Sequence, residues 1–250
     1  MKEDGAIKYA MKFAIASLLT TVAVFLIALL FTSYLQKRNS DTPTPVFNET
    51  HQVCFVIDPG HGGEDAGAVA TDGTCEKDLN LQVASLLSTV LELNGCRVVM
   101  TRETDTLLYD KYGVLDDYTG KKKVYDLKNR LKIAQETENS IYVGIHMNKF
   151  PEEKYSGLQV YYSQADERSQ ELALTVSGDV KSYLQPHNNR PIKRANSSIY
   201  ILNEAEMPAI LIECGFLSNE AELELLKSPE YQKSLALCLF YSLSKHNQSR

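Results

Sequence analysis

Short apolar runs that stop on a polar side chain recur along this chain, and amphipathic stretches separate them. Val53 to Asp58 leads through Pro59 and Gly60 to His61, Ile141 to Ile145 leads to His146, and Ala209 to Ile212 leads to Glu213. Between the first two runs, Leu79, Val83, Leu86, Leu87, Val90 and Leu91 fall at helical spacing, so a helix is expected near Asp78 to Asn94, stopped by Asn94-Gly95. A strand-like run from Arg97 to Arg102 follows, and strand, helix, strand in this order is the pattern of a βαβ unit. Further helices are expected near Val124 to Glu138, Gln170 to Tyr183, Glu220 to Lys227 and Tyr231 to Lys245. Gly157 to Tyr162 alternates weakly and reads as an edge strand, Ser198 to Leu202 as another strand, and Ala209 to Ile212 as a fully buried one. The fold class is α/β, and in an open sheet of that class ligands and chemistry collect at the carboxyl ends of the strands.

The N-terminal part has a different character. Phe13 to Phe31 carries no charge and no proline over a length close to the ~20 residues of a membrane-spanning helix. A cleaved signal peptide is the rival, but its apolar region is shorter and ends at a small-x-small site, which TSYLQKRN is not. The expected division is a tail at 1–12, a transmembrane anchor at 13–34, a Pro- and Thr-containing linker at 35–51 and a catalytic domain at 52–250. Lys2, Lys8 and Lys12 narrowly outweigh Lys37 and Arg38, which favours a cytoplasmic N-terminus and a catalytic domain outside the cytoplasm. Beyond residue 38 the chain holds 21 basic residues against 30 acidic ones, so nucleic acid is excluded as a natural partner. Five cysteines without a Cys-x-x-Cys pair suggest neither a zinc ribbon nor a disulfide framework; Cys54, Cys96, Cys214 and Cys238 lie in apolar runs, as buried thiols do.

His61, Glu76 and His146 make a set from which a catalytic zinc could draw three ligands, with a fourth position left for water. Each has a plainer reading. His61, in the glycine-rich Asp58-Pro59-Gly60-His61-Gly62-Gly63, suits a loop histidine satisfied by carbonyls; as a ligand, its second nitrogen would be oriented by Asp58 or Asp65. Glu76 precedes a helix whose positive end it would complement. His146, two residues before Asn148, suits a core histidine bonded locally. Glu213 lies between Ile212 and Cys214-Gly215-Phe216, where desolvation raises a carboxylate pKa toward the range of a general base; the alternative is a structural pair with Arg130 or Arg194. His51, His187 and His246 lie at the tether edge, in a polar loop and in the tail, and are poor ligand candidates.

Taken together, IDPGHGGEDAGA at 57–68, CEKDLNL at 75–81, DLKNRLKIAQ at 126–135, GIHMN at 144–148 and PAILIECGFLSN at 208–219 resemble the N-acetylmuramoyl-L-alanine amidase family of zinc hydrolases. That resemblance implies a three-layer α/β sandwich around a twisted, mostly parallel sheet. It implies Zn²⁺ on His61, Glu76 and His146, Glu213 as the catalytic carboxylate, and cleavage between muramic acid and the stem peptide of peptidoglycan. Asp58, Asp65, Arg130 and Asn148 are candidates for supporting or substrate contacts. MTRETDT at 100–106, a Lys-rich loop before DLKNR, and the single apolar N-terminal segment are similar to the spore-cortex type. Amidases of that type prepare glycan for a deacetylase that makes muramic-δ-lactam, and an activating lipoprotein is a further expected partner. Gly144 and Met147 depart from the serine and smaller residue more usual around His146. The stretch from Lys149 to Gly157 is too short for the long blocking helix of some periplasmic relatives. A wall-binding protein without turnover and a zinc peptidase acting within the stem peptide are the alternatives.

Overall fold

The structure, a computed structural model, describes residues 26–27, 29–33, 52–112 and 120–247. The expected tail at 1–12, most of the expected anchor and all of the linker lie outside the described residues, and no helix among those described is long and apolar enough to cross a membrane. Residues 49–250 form a compact unit of their own.

Among the described residues, six strands make one sheet in the order β2-β1-β3-β6-β4-β5. They are β1 (Cys54–Pro59), β2 (Arg97–Met100), β3 (Ser140–Asn148), β4 (Gln159–Tyr162), β5 (Lys193–Arg194) and β6 (Ala209–Phe216). β2, β1, β3 and β6 run parallel, while β4 lies antiparallel to β6. Among the described residues from 52 onward, the helices are α1 (Glu76–Leu93), α2 (Lys122–Glu136), α3 (Glu167–Tyr183), α4 (Tyr200–Glu204), α5 (Glu220–Lys227) and α6 (Pro229–Ser244).

Strand alternation divides the core in two. Phe55, Ile57, Val143, Ile145, Ile210 and Ile212 belong to a cluster with Val83, Leu87 and Leu91 of α1, Val176 of α3 and Leu239 of α6. Val56, Tyr142 and Leu211 face the opposite cluster, with Leu131 and Ala134 of α2 and Ile201 and Leu202 of α4. The result is three layers, helices on both faces of a mostly parallel sheet.

Two sequence expectations need correction. Ser198 to Leu202 is not a strand: α4 begins at Tyr200, after Asn196 Oδ1 accepts from the Ser198 backbone N–H and starts a turn. Consecutive strand residues point to opposite faces, yet Ile201 and Leu202 both enter the same cluster, which a helical turn permits. β4 is not the edge either, because the two-residue β5 pairs with its outer side at Tyr161 and Tyr162. The bulk of the other elements matches expectation, with β3 and β6 running further than their apolar cores, so that His146 and Glu213 lie within strands rather than past them. The five cysteines are free, four of them buried.

Candidate metal centre and active site

The period-two pattern that buries Val56, Tyr142 and Leu211 continues to Asp58, Gly144 with His146, and Glu213 on the same side of the sheet. His146 and Glu213 are register partners on adjacent parallel strands, which sets their side chains next to each other at the carboxyl end. Just beyond, two residues of β3 match three of β6, from His146 opposite Glu213 to Asn148 opposite Phe216, a bulge beside the site.

His61 arrives on the loop after β1 in a left-handed conformation, φ 63°, and its Nδ1 lies 2.9 Å from Asp65 Oδ2. That contact leaves Nε2 directed at Glu76 Oε1, 3.3 Å away. Glu76 stands on the first turn of α1 but turns inward: Oε2 accepts from the Ala68 backbone N–H at 2.8 Å, and Oε1 accepts from Met147 N–H at 3.1 Å and faces His146 Nδ1 at 2.9 Å. The His61 and His146 rings meet edge to face, centroids 5.1 Å apart. One ligand atom from each of His61, Glu76 and His146 lies within 4.8 Å of the others.

Electrostatics bind this trio together. Burial alone would lower the His61 pKa, but hydrogen bonds and charge from Asp65 and Glu76 outweigh it and bring the imidazole to about 9. Burial would raise Glu76, yet the two histidines hold it well below the ordinary carboxylate range. Asp65 is held low as well, first by its hydrogen bond with His61. Glu213 goes the other way: desolvation is the largest influence and pushes it up to about 7, with the nearby Glu76 charge acting in the same direction. Its Oε2 is buried without a hydrogen-bond partner among the described residues. The donor set of two imidazoles and one carboxylate, gathered beside an unpaired carboxylate oxygen, fits a catalytic zinc site.

The remaining candidates divide. Asp65 touches His61 as expected. Asp58 does not: it is fully buried beneath the loop, where Arg130 Nη1 donates to it at 2.6 Å and Thr101 and Tyr142 donate their hydroxyl protons. Although burial opposes it, these partners keep Asp58 ionised below its usual range. Arg130 is equally buried, bonded to Asp58 and Asp126, so neither residue reaches the cleft. The pairing of Glu213 with Arg130 or Arg194 is not found, since Arg194 donates to Gln164 instead. Asn148 contributes through its backbone carbonyl, which accepts from Leu217 N–H at 2.8 Å. Residues 149–158 form no helix, and Ser218, Asn219 and Glu222 hold that loop by its backbone.

Sequence reasoning missed Gly60, Asn80 and Arg102. A Cβ at Gly60 would collide with the His146 ring, so the ring lies against bare backbone. Asn80 Nδ2 donates to Gly60 O at 3.1 Å, and Arg102 donates to Pro59 O and Gly60 O. A buried helix asparagine one turn after Glu76 was the available signal for the first of these two.

Residues 55–245 match the family described as N-acetylmuramoyl-L-alanine amidase. The chain belongs to that amidase family. It is 34% identical over 220 residues to the germination-specific N-acetylmuramoyl-L-alanine amidase of Bacillus subtilis, covering 88% of this chain and 90% of the relative. Among solved structures, the CwlD amidase from Clostridioides difficile, determined in complex with the GerS lipoprotein, is 36% identical with a TM-score of 0.72, covering 77% of this chain and 97% of the other. The amidase AmiC2 of Nostoc punctiforme is 30% identical with a TM-score of 0.65, covering 78% and 96%.

Proposed function

We propose that this amidase hydrolyses the amide between N-acetylmuramic acid and L-alanine in peptidoglycan, with zinc held by His61, Glu76 and His146 and with Glu213 as general base. Zinc bound there would supply Lewis acidity and lower the pKa of water from ~15.7 toward ~7. Glu213 accepts a proton from the attacking water through its unpaired Oε2 and returns it to the departing alanine nitrogen. Asp65 holds His61 with Nε2 facing inward, and the backbone N–H groups of Ala68 and Met147 fix both oxygens of Glu76.

The observation that carries this reading is the contrast between two neighbouring carboxylates, Glu76 with both oxygens met by donors and Glu213 with one oxygen, Oε2, buried without one among the described residues. A wall-binding protein that lacks turnover has no use for a carboxylate oxygen buried without a partner, which is costly to keep. A spore-cortex substrate is supported by likeness to the germination-specific relative, and action outside the cytoplasm follows from where peptidoglycan lies. The GerS complex of CwlD supports a lipoprotein partner for this chain too. Retention of Phe13 to Phe31 as an anchor belongs to the same reading, and a partner deacetylase would act on the stripped glycan.

The test is product analysis on intact sacculi. Wild-type protein should expose new N-terminal alanine, lose that activity to chelator and regain it with zinc, and Glu213→Ala should bind zinc yet leave the amide uncut. Fragments whose masses place the cut inside the stem peptide would establish the peptidase alternative instead.

A further inference from the structure

Beneath the loop that carries His61 lie two arginines, Arg130 and Arg102, exposed by 1% and 3%. Between them they take up the carbonyls of three consecutive residues. Arg130 donates from Nη1 to Pro59 O at 2.9 Å and from Nη2 to His61 O at 2.6 Å. Arg102 donates from Nε to Pro59 O at 2.8 Å and from Nη2 to Gly60 O at 3.1 Å. The same Arg102 Nη2 donates to Lys77 O at 2.9 Å, one residue past Glu76, and Nη1 donates to Thr104 O at 3.0 Å. One planar guanidinium therefore joins the segment bearing His61 to the helix bearing Glu76.

We propose that Arg102 and Arg130 are positioning residues that assemble the metal site before metal arrives, with Arg102 setting the separation of the His61 and Glu76 segments. The inference rests on the zinc reading above. Three further observations support it. His61 occupies a left-handed conformation that a side chain larger than glycine adopts only when its surroundings over-determine it, and carbonyls clamped on both sides do so. Arg102 forms no ion pair with a carboxylate among the described residues, so its charge is spent on carbonyl oxygens of the two ligand segments and on Thr104. The buried cluster still balances, because Asp58 and Asp126 offset Arg102 and Arg130. A lysine would not substitute, since a point ammonium lacks the fixed fork whose Nε holds Pro59 O and Nη1 holds Thr104 O while Nη2 spans Gly60 O and Lys77 O.

The test compares full-length Arg102→Lys with wild type and with Val176→Ala, a core variant in α3, which carries none of the site residues. Zinc affinity is read by competition with a chromogenic chelator, alongside thermal melting of the zinc-free proteins. Arg102→Lys should lose zinc affinity by roughly 10- to 100-fold. Val176→Ala should melt lower while keeping its zinc affinity within about threefold of wild type, which separates positioning from general destabilisation. A second measurement needs no variant: in zinc-free wild-type protein, the Gly60 and Gly62 amides should exchange as slowly as those of β1. Wild-type affinity in Arg102→Lys, or fast exchange of those amides until zinc is added, overturns this proposal alone. Wild-type protein that takes up no zinc overturns the metal reading and this proposal with it.

Discussion

Gly60→Ala isolates the contribution of one missing methyl group to the metal site. Gly60 is not among the glycines at positive φ, so alanine suffers no backbone strain there. Its Cβ would, however, lie 2.8 Å from His146 Nδ1 and closer still to Cε1 and Nε2, where ordinary contact begins at 3.4 Å. The loop cannot retreat easily, because the Gly60 carbonyl is held by Arg102 and Asn80 and its N–H by Ile145 O. Set by Cε1, the nearest ring atom, the ring must therefore withdraw by roughly 1.3 Å, against a tolerance of ~0.2 Å in metal–ligand distances. Misplacement of this order costs about 10²-fold in catalysis when it reaches the reacting groups. Zinc dialysis with metal analysis, and release of alanine termini from sacculi, should both fall by about two orders of magnitude, while far-UV circular dichroism stays native. Stoichiometric zinc at wild-type affinity in Gly60→Ala would refute the steric reasoning.

Three other outcomes are expected. Asp65→Asn should weaken zinc binding roughly 10- to 100-fold by releasing His61 Nδ1 from its carboxylate partner, read by the same chelator competition. Glu213 must be ionised to accept a proton, and burial brings it to about 7, so kcat/KM should fall as pH drops below that value, and Glu213→Gln should remove the limb along with ~10²- to 10⁴-fold of the rate. Gly178→Ala, in α3 with nothing within 4 Å of the added methyl, should raise stability by ~0.5–1 kcal/mol in urea titration without altering zinc content.

The parts of the fold legible in the sequence were those governed by periodicity. α1 shows its buried face as Leu79, Val83, Leu87 and Leu91, and the strand runs ending near His61, His146 and Glu213 lie where the apolar alternation puts them. What escaped was set by tertiary context. Nothing local reveals that β5, two exposed residues long, would cover β4, or that Ile201 and Leu202 would share one cluster and so require a helical turn. Asp58 directly precedes Pro59 and the His61 loop, which invites pairing it with the imidazole, but only the fold shows that Arg130, 72 residues away, claims it first. Of the site, the chemistry-bearing side chains were visible by type and position, whereas Gly60 and Arg102 act through backbone that sequence does not display.

The site concentrates two unfavourable features that the rest of the fold must sustain: a histidine in the left-handed region and a carboxylate oxygen buried without a partner. Their placement is not arbitrary. Alternation along β6 already gives Leu211 and Glu213 one face, so the sheet that supplies apolar burial also supplies the low-polarity setting that lifts Glu213 toward neutral pH. Glu76, on a helix start, is fixed by backbone N–H donors, and against the pull of burial His146 and His61 keep it ionised, as a metal ligand requires. Two glutamates of the same intrinsic acidity are thereby driven apart, one by the two histidines set against it, the other by a strand position whose burial meets no compensating donor at Oε2. Exchanging those environments would leave neither a ligand nor a base, which is why the division of labour follows from strand and helix placement rather than from the identity of the side chains.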